Sequence, residues 1–167
     1  MRIETERLLI TDFTPEMAEV VSRGSKNENM RRFLPDEVFE TPEIAAEVIQ
    51  TLMGCYGGTQ GPFVHPMLAQ GQYAGYVQLV PMEDGEWEIG YCTVPEMTGR
   101  GYATEAVQAF LPAIMAQVGI TRVMGICLME NRASIRVLDK CGFRRVFEGD
   151  GLYQGEMRPI VKMVYGQ

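Results

Sequence analysis

The chain has 167 residues, of which 46% are hydrophobic and 22% charged, and this predicts a single compact domain over residues 1–167. Its formal net charge is -7 at pH 7, and its 15 Lys and Arg are scattered, so it lacks the basic stripe of a nucleic-acid-binding protein. No apolar run approaches the roughly 18 residues of a membrane-spanning helix, and the N-terminus lacks the apolar core of a secretory signal, so we expect a cytoplasmic protein without a membrane partner.

The first third of the chain is predicted to form one strand, two helices and a loop. The apolar run 7–13 predicts a strand. Segments 14–24 and 41–54 predict two helices, because each begins with Thr and Pro and ends at Gly. Residues 27–36 are expected to join these helices. The glycine-dense stretch 54–62 predicts a loop.

The rest of the chain is predicted to form six strands and two helices. Three short apolar runs separated by turn-rich segments predict antiparallel strands over 63–69, 73–81 and 86–94. From Gly101 to Gly119, apolar residues at helical spacing predict a long helix. A strand, a helix and two strands are then predicted over 121–128, 131–142, 143–149 and 157–165. This order indicates an α/β (α+β) domain with a central sheet.

The spacing of the cysteines and the single histidine does not indicate a metal site. Cys55, Cys92, Cys127 and Cys141 form no CxxC pair, and His65 is the only histidine. No zinc-ligand cluster is therefore predicted, and we expect no metal and reduced, mostly packed cysteines. Since His65 precedes a proline on an expected strand, a structural role is favoured over a catalytic one.

The segment 95–106 (PEMTGRGYATEA) has few side chains at a junction between strand and helix. Such a turn presents free backbone N–H groups and the positive end of a helix dipole to one point in space. Gly99 and Gly101 would let an anion reach those amides, and Arg100 would add charge, although a plain connector has the same composition. A dinucleotide-binding GxGxxG would need glycine where Thr104 stands, and no P-loop pattern is present.

The segment 88–107 resembles motif A of the GNAT superfamily of N-acetyltransferases, and particularly its Rim-type branch, which acetylates N-terminal amines. In that motif, [QR]-x-x-G-x-[GA], Gly101 and Ala103 occupy the two small positions, while Thr98 stands where Gln or Arg is usual. A second stretch, 130–143 (ENRASIRVLDKCGF), is similar to a helix of the same family. Together with the first predicted strand, the resemblance covers nearly the whole chain.

The resemblance implies the GNAT acyl-CoA N-acyltransferase fold, with a mixed sheet of about seven strands and about four helices. In this family acetyl-CoA lies where two neighbouring parallel strands splay apart, which here would be 86–94 and 121–128. Its pyrophosphate contacts the motif A loop, and its pantetheine follows the first of these strands. The implied cofactor-binding residues are Cys92, Thr93, Val94, Gly99, Arg100, Gly101, Tyr102, Ala103, Thr104 and Asn131.

The reaction implied is direct transfer of acetyl from the thioester to the primary amine of a peptide N-terminus or a small molecule. The amine must be neutral to attack, and neutralisation at pH 7 costs about 1 kcal/mol for an α-amine but about 4.5 kcal/mol for lysine. Glu88 is the candidate base, with a solvated strand carboxylate as the alternative. A backbone N–H between Cys92 and Val94, freed by a bulge, would stabilise the oxyanion.

The leaving thiolate needs a proton donor. Many family members use a tyrosine at the position of Leu138, so a tyrosine is excluded there. Rim-type enzymes often use a serine that corresponds to Ser134, although a polar residue on a helix is the alternative. Asn131 is a good N-cap and also a candidate for contact with the pantetheine. Arg136 and Lys140 are candidates for the 3'-phosphate, or simply exposed helical bases.

The acceptor side is the part that the sequence specifies least. The resemblance places the two early helices and the loop 54–62 over the cleft, and Trp87 and Tyr153 are candidates either for the acceptor pocket or for packing. A non-catalytic acyl-CoA-binding regulatory module remains the alternative function, because Leu138 replaces the usual acid. The resemblance also allows for a homodimer, since dimers are common in the family.

Overall fold

One mixed sheet of eight strands runs through the computed structural model, which describes residues 1–167. The strands lie in the order β1-β2-β3-β4-β5-β6-β8-β7, and only β5 and β6 pair in parallel. Their bounds are β1 Ile3–Glu4, β2 Leu8–Ile10, β3 Phe63–Ala69, β4 Gln72–Pro81, β5 Trp87–Thr93, β6 Arg122–Leu128, β7 Arg144–Tyr153 and β8 Glu156–Gly166.

Five α-helices flank the sheet: α1 Ala18–Ser25, α2 Glu28–Phe33, α3 Pro42–Met53, α4 Tyr102–Val118 and α5 Arg132–Lys140. Short 3-10 turns occur at Pro15–Met17, Pro35–Glu37 and Pro95–Met97. The predicted α/β (α+β) architecture is confirmed. The element counts are each one higher than predicted, because a two-residue first strand and helix α2 were not foreseen.

The N-terminal segment departs most from the predicted elements. Thr14 caps no helix through its side chain and precedes a 3-10 turn, and helix α1 continues through Gly24. A Cβ at Gly24 would lie 3.1 Å from Val94 Cγ1, so this glycine allows close packing rather than ending the helix. The predicted connection 27–36 contains helix α2, whose first turn is capped by Asn27 Oδ1 accepting from the N–H of Met30.

Two apolar clusters make the core. In the larger, helix α4 packs on the sheet through Val107, Phe110 and Ile114, all fully buried. In the smaller, helices α1 and α3 pack through Val21 and Ile49. These clusters support the helix starts and turns that surround the cleft described below. No helix combines the length and apolar character needed to cross a membrane.

His65 and the cysteines have structural surroundings. His65 is 2% exposed, and its Nδ1 lies 3.0 Å from the carbonyl oxygen of Thr11 and 3.2 Å from Asp12 Oδ1. Its ring stacks on Tyr56 at 4.5 Å, and burial lowers its pKa. His65 therefore joins β3 to the segment after β2 and lies apart from the cleft. All four cysteines are free.

Two tyrosine hydroxyls give opposite predictions for stability. The buried hydroxyl of Tyr76 has no hydrogen-bond partner, whereas that of Tyr56 donates to the carbonyl of Val64 at 2.6 Å and accepts from the N–H of Phe13 at 3.1 Å. Tyr76→Phe should leave the free energy of unfolding unchanged or raise it by about 1 kcal/mol, and Tyr56→Phe should lower it by about 1–3 kcal/mol. Urea denaturation measures both. A larger loss in Tyr76→Phe would contradict this account.

Candidate active site

A cleft opens between β5 and β6 because these strands separate after one registered pair, Glu88 with Met124. By contrast, β5 pairs with β4 along its whole length, from Trp87 to Thr93, and the Val94 N–H continues this register, so the bulge predicted between Cys92 and Val94 is absent. The predicted splaying of these two parallel strands is therefore confirmed. An extended ligand can use the backbone groups that the missing ladder leaves at the inner edge of β5.

The glycine loop at the end of this cleft has the backbone conformation expected of an anion site. Gly99 and Gly101 have φ of 75° and 80°, in the left-handed region that favours glycine, and Gly101 is the N-cap of α4. The backbone N–H groups of residues 99–104 donate no hydrogen bond within the protein. They stand at the positive end of a 17-residue helix, so the loop can accept a phosphate group.

An ion pair between Arg7 and Glu105, here called the clamp, holds this loop in place. Arg7 Nη1 donates to the carbonyl of Arg100 at 2.7 Å, and Arg7 pairs with Glu105 at 2.6 Å. Thr5 Oγ1 also donates to Glu105, at 2.6 Å. Burial opposes ionisation of Glu105, but the bonds from Thr5 and Arg7 outweigh it and hold its pKa below the usual value. No motif in the sequence predicts this clamp.

A cavity of about 670 Å³, the donor cavity, extends from the loop along β5 to α5. Val94 and Arg100 do not line it: the Val94 N–H donates to the carbonyl of Ala74 at 2.9 Å, and the Arg100 guanidinium donates to the carbonyl of Glu96 at 3.2 Å. The other predicted cofactor-binding residues line it, namely Cys92, Thr93, Gly99, Gly101, Tyr102, Ala103, Thr104 and Asn131. Its charged lining residues are Glu28, Arg136 and Lys140.

A second cavity of about 590 Å³, the acceptor cavity, lies under the early helices. It is mostly apolar, with 20 hydrophobic residues among the 29 that line it. Tyr153 lines it, whereas Trp87 stacks on Phe63 at 6.0 Å and packs against the core. Of the loop 54–62, only Pro62 reaches the cavity.

The two cavities share five lining residues: Phe33, Leu34, Tyr91, Asn131 and Ser134. At this junction Ser134 Oγ lies 2.8 Å from Tyr91 Oη and accepts from Cys127 Sγ at 3.1 Å. Asn131 Oδ1 accepts from the Ser134 N–H at 3.3 Å, which makes Asn131 the N-cap of α5. Tyr91 was not predicted as a site residue, and no motif in the sequence marks it.

A bridge of hydrogen bonds covers the junction. Tyr153 Oη, on β7, donates to the carbonyl of Phe33 at 2.8 Å. Glu130 pairs with Arg32 of α2 at 2.9 Å and with Arg158 of β8 at 3.4 Å. Helix α2 is thereby tied to the β7–β8 hairpin and to the start of α5.

Leu138, at the position of the tyrosine that many family members use, lies where the core meets the acceptor cavity. It is 1% exposed, and a Cβ at Gly125 would come within 2.7 Å of its Cδ1. The Leu138 side chain fills the space that Gly125 leaves on β6, so it is part of the core beneath the site.

Glu88, half-buried on β5, lines the acceptor cavity. Burial raises its pKa to about 7, and the nearby charge of Glu37 adds to the rise. Glu37 Oε1 accepts from Gln78 Nε2 at 3.1 Å; burial raises the pKa of Glu37, and this bond opposes the rise. Gly90 makes the arrangement possible, because a Cβ there would lie 2.6 Å from Gln78 Nε2.

The splayed parallel strands, the glycine loop before α4 and the two joined cavities are the features of an N-acyltransferase fold. The acetyltransferase (GNAT) domain matches residues 7–144, and the chain belongs to the GNAT family of acetyltransferase enzymes.

Related proteins agree with this assignment. The chain is 28% identical over 146 residues to the uncharacterized N-acetyltransferase YnaD of Bacillus subtilis. The aligned region covers 87% of this chain and 84% of that protein. A GNAT-family acetyltransferase structure from Bacillus anthracis matches with a TM-score of 0.81 and 26% identity, over 99% of this chain and 98% of that one. The ribosomal L7/L12 alpha-N-protein acetyltransferase RimL, in complex with coenzyme A, matches with a TM-score of 0.83 at 18% identity, over 99% and 98% of the two chains, and so shares the fold.

The two ends of helix α4 provide a matched test of the glycine loop. Gly101 and Gly119 both have a φ of 80°, at the N-terminus and the C-terminus of the helix. Alanine at either position should lower the free energy of unfolding by about 1 kcal/mol or more, since neither φ suits a side chain. Only Gly101→Ala should also raise the Kd for coenzyme A, at least tenfold, as measured by calorimetry. A wild-type Kd in Gly101→Ala would contradict the assignment of this loop.

Proposed function

We propose that this enzyme transfers the acetyl group of acetyl-CoA to the primary amine of a peptide N-terminus or a small molecule by direct attack. The observation that carries the proposal is the meeting of the donor and acceptor cavities at Ser134, Tyr91 and Asn131. An assay for free coenzyme A with a panel of amines tests it. Tight acetyl-CoA binding with no transfer to any amine would instead favour the non-catalytic binding module.

The donor cavity supports acetyl-CoA as the acyl donor. Its free amides at residues 99–104 suit a pyrophosphate, and Arg136 and Lys140 supply positive charge for a further phosphate. The pantetheine would follow the inner edge of β5 toward Ser134. Because the Val94 amide bonds to β4, and amides alternate along an antiparallel strand, Thr93 is the remaining oxyanion donor of the three predicted.

Side chains of the acceptor cavity and of the junction complete the proton transfers. Glu88 takes a proton from the ammonium and releases it to solvent, and the neutral nitrogen then attacks the thioester carbon. Glu88 takes the second proton from that nitrogen as the amide forms. When the C–S bond breaks, the thiolate receives a proton from Ser134 Oγ. Tyr91 Oη donates to the Ser134 carbonyl at 2.8 Å and lies 2.8 Å from Ser134 Oγ, so it positions the serine, which regains its proton from solvent. The products are an acetamide, free coenzyme A and one released proton.

Glu88→Gln tests the base. The wild-type kcat/KM for the amine should rise with pH through about 7, because Glu88 must be ionised in the free enzyme to accept a proton. The variant should lose this pH dependence and fall in rate by about 100-fold or more. Steady-state release of coenzyme A between pH 5.5 and 9 measures both effects. Glu86→Gln, which alters a carboxylate paired with Arg122 outside the cavity, should keep the wild-type profile. The same profile in Glu88→Gln would exclude Glu88 as the base.

Ser134→Ala tests the acid. The variant removes the hydroxyl at the junction without touching the glycine loop, so kcat should fall by about 10–100-fold while the Kd for acetyl-CoA stays unchanged. Tyr91→Phe keeps the ring, removes the partner of Ser134 and should also lower kcat. Assays of coenzyme A release measure kcat, and calorimetry measures the Kd for acetyl-CoA. Retention of the full rate in Ser134→Ala would remove Ser134 from the mechanism.

The cytoplasmic location and the homodimer stay predictions from the sequence. Neither enters the reaction proposed above, because both cavities are formed within one chain.

A further inference from the structure

The two cavities carry side chains of opposite charge. The donor cavity has two basic residues, Arg136 and Lys140, and one acidic residue. The charged residues that line the acceptor cavity are Asp36, Glu37 and Glu88, and no Lys, Arg or His lines it. An ammonium ion is therefore favoured in the acceptor cavity, and a carboxylate entering it would meet no positive partner.

Two of these carboxylates, Glu37 and Glu88, lie near enough to repel each other, and a hydrogen bond holds Glu37 in place. Glu88 projects from β5, where its strand partner is Val80, and Gln78, the next but one residue on β4, holds Glu37. The charge of Glu37 disfavours ionisation of Glu88, so an ammonium ion placed beside both would relieve the repulsion. Glu37 comes from the turn after α2, so the cation site has one acid on the sheet and one on the helical layer.

The remaining walls fit an apolar group rather than a second charge. Val21 of α1, together with Val48, Ile49 and Leu52 of α3, lines the cavity opposite the sheet. The volume of about 590 Å³ is within the range of small-molecule sites, which is roughly 300–1,000 Å³. A second ammonium or a carboxylate against these walls would lose its hydration without a partner.

We propose that the acceptor is a carboxylate-free primary amine bearing an apolar group, with its ammonium between Glu37 and Glu88 and its apolar group against α1 and α3. This inference rests on the proposed acetyl transfer and specifies its acceptor. Free amino acids and polyamines are excluded as preferred acceptors, since each brings an additional charge.

Four simple amines test the proposal. 2-Phenylethylamine and L-phenylalanine differ only by the carboxylate. Ethylamine lacks the phenyl ring, and putrescine carries a second amine. The kcat/KM for 2-phenylethylamine should exceed that for L-phenylalanine at least 100-fold and those for the other two at least tenfold. Equal or better use of L-phenylalanine or putrescine would overturn the inference while leaving acetyl transfer intact.

Calorimetry on the enzyme saturated with coenzyme A makes the same comparison without turnover. Binding of 2-phenylethylamine but not of L-phenylalanine supports the assigned cation and apolar sites even if no acetyl is transferred, in which case the proposed function fails and the bound amine is a ligand rather than an acceptor. Undetectable binding of 2-phenylethylamine would overturn the inference.

A pair of variants locates the cation site. Glu37→Gln should weaken binding of 2-phenylethylamine about tenfold and leave the Kd for acetyl-CoA unchanged. Glu43→Gln removes an exposed carboxylate at the start of α3, outside the cavity, and should leave both values unchanged. Equal amine binding in the two variants would overturn the assignment of Glu37.

Discussion

The separation of β5 from β6 after a single registered pair is the constraint on which the site depends. Each missing backbone hydrogen bond gives up about 0.5–1.5 kcal/mol of stability, so the opening must be supported elsewhere. The support is antiparallel pairing on both sides, since β5 is fully registered with β4 and β6 with β8. The sheet therefore consists of two antiparallel halves joined by one parallel pair, and the gap between them gives access to polar backbone groups.

The helices around this gap begin and end according to local sequence rules, so they could be predicted from the sequence. Helices α3, α4 and α5 have clear starts or stops, such as Thr41, Gly119 and Asn131, together with an apolar period. The need for glycine at Gly101 is also local, because a positive φ before a helix restricts the residue type whatever surrounds it. Predictions of this kind use information within a few residues of each position.

The missed features depend on distant residues or on very short elements. Helix α2 buries only Met30, too little to give an apolar period, and the first strand has two residues. The contact of Glu37 with Gln78 joins residues 41 apart in the chain. Tyr91 contacts Ser134 only because α5 brings that serine against it, 43 residues later in the chain. No local pattern encodes such pairs, and they determine which side chains stand at the junction.

The bridge from Phe33 to Tyr153 has a consequence for the order of binding. It spans the place where the cavities meet, while each cavity continues under its own set of elements. In the proposed reaction acetyl-CoA and the amine therefore occupy different cavities, so both can be bound at the same time. Such an arrangement favours a ternary complex and sequential kinetics over a ping-pong scheme with an acetylated enzyme.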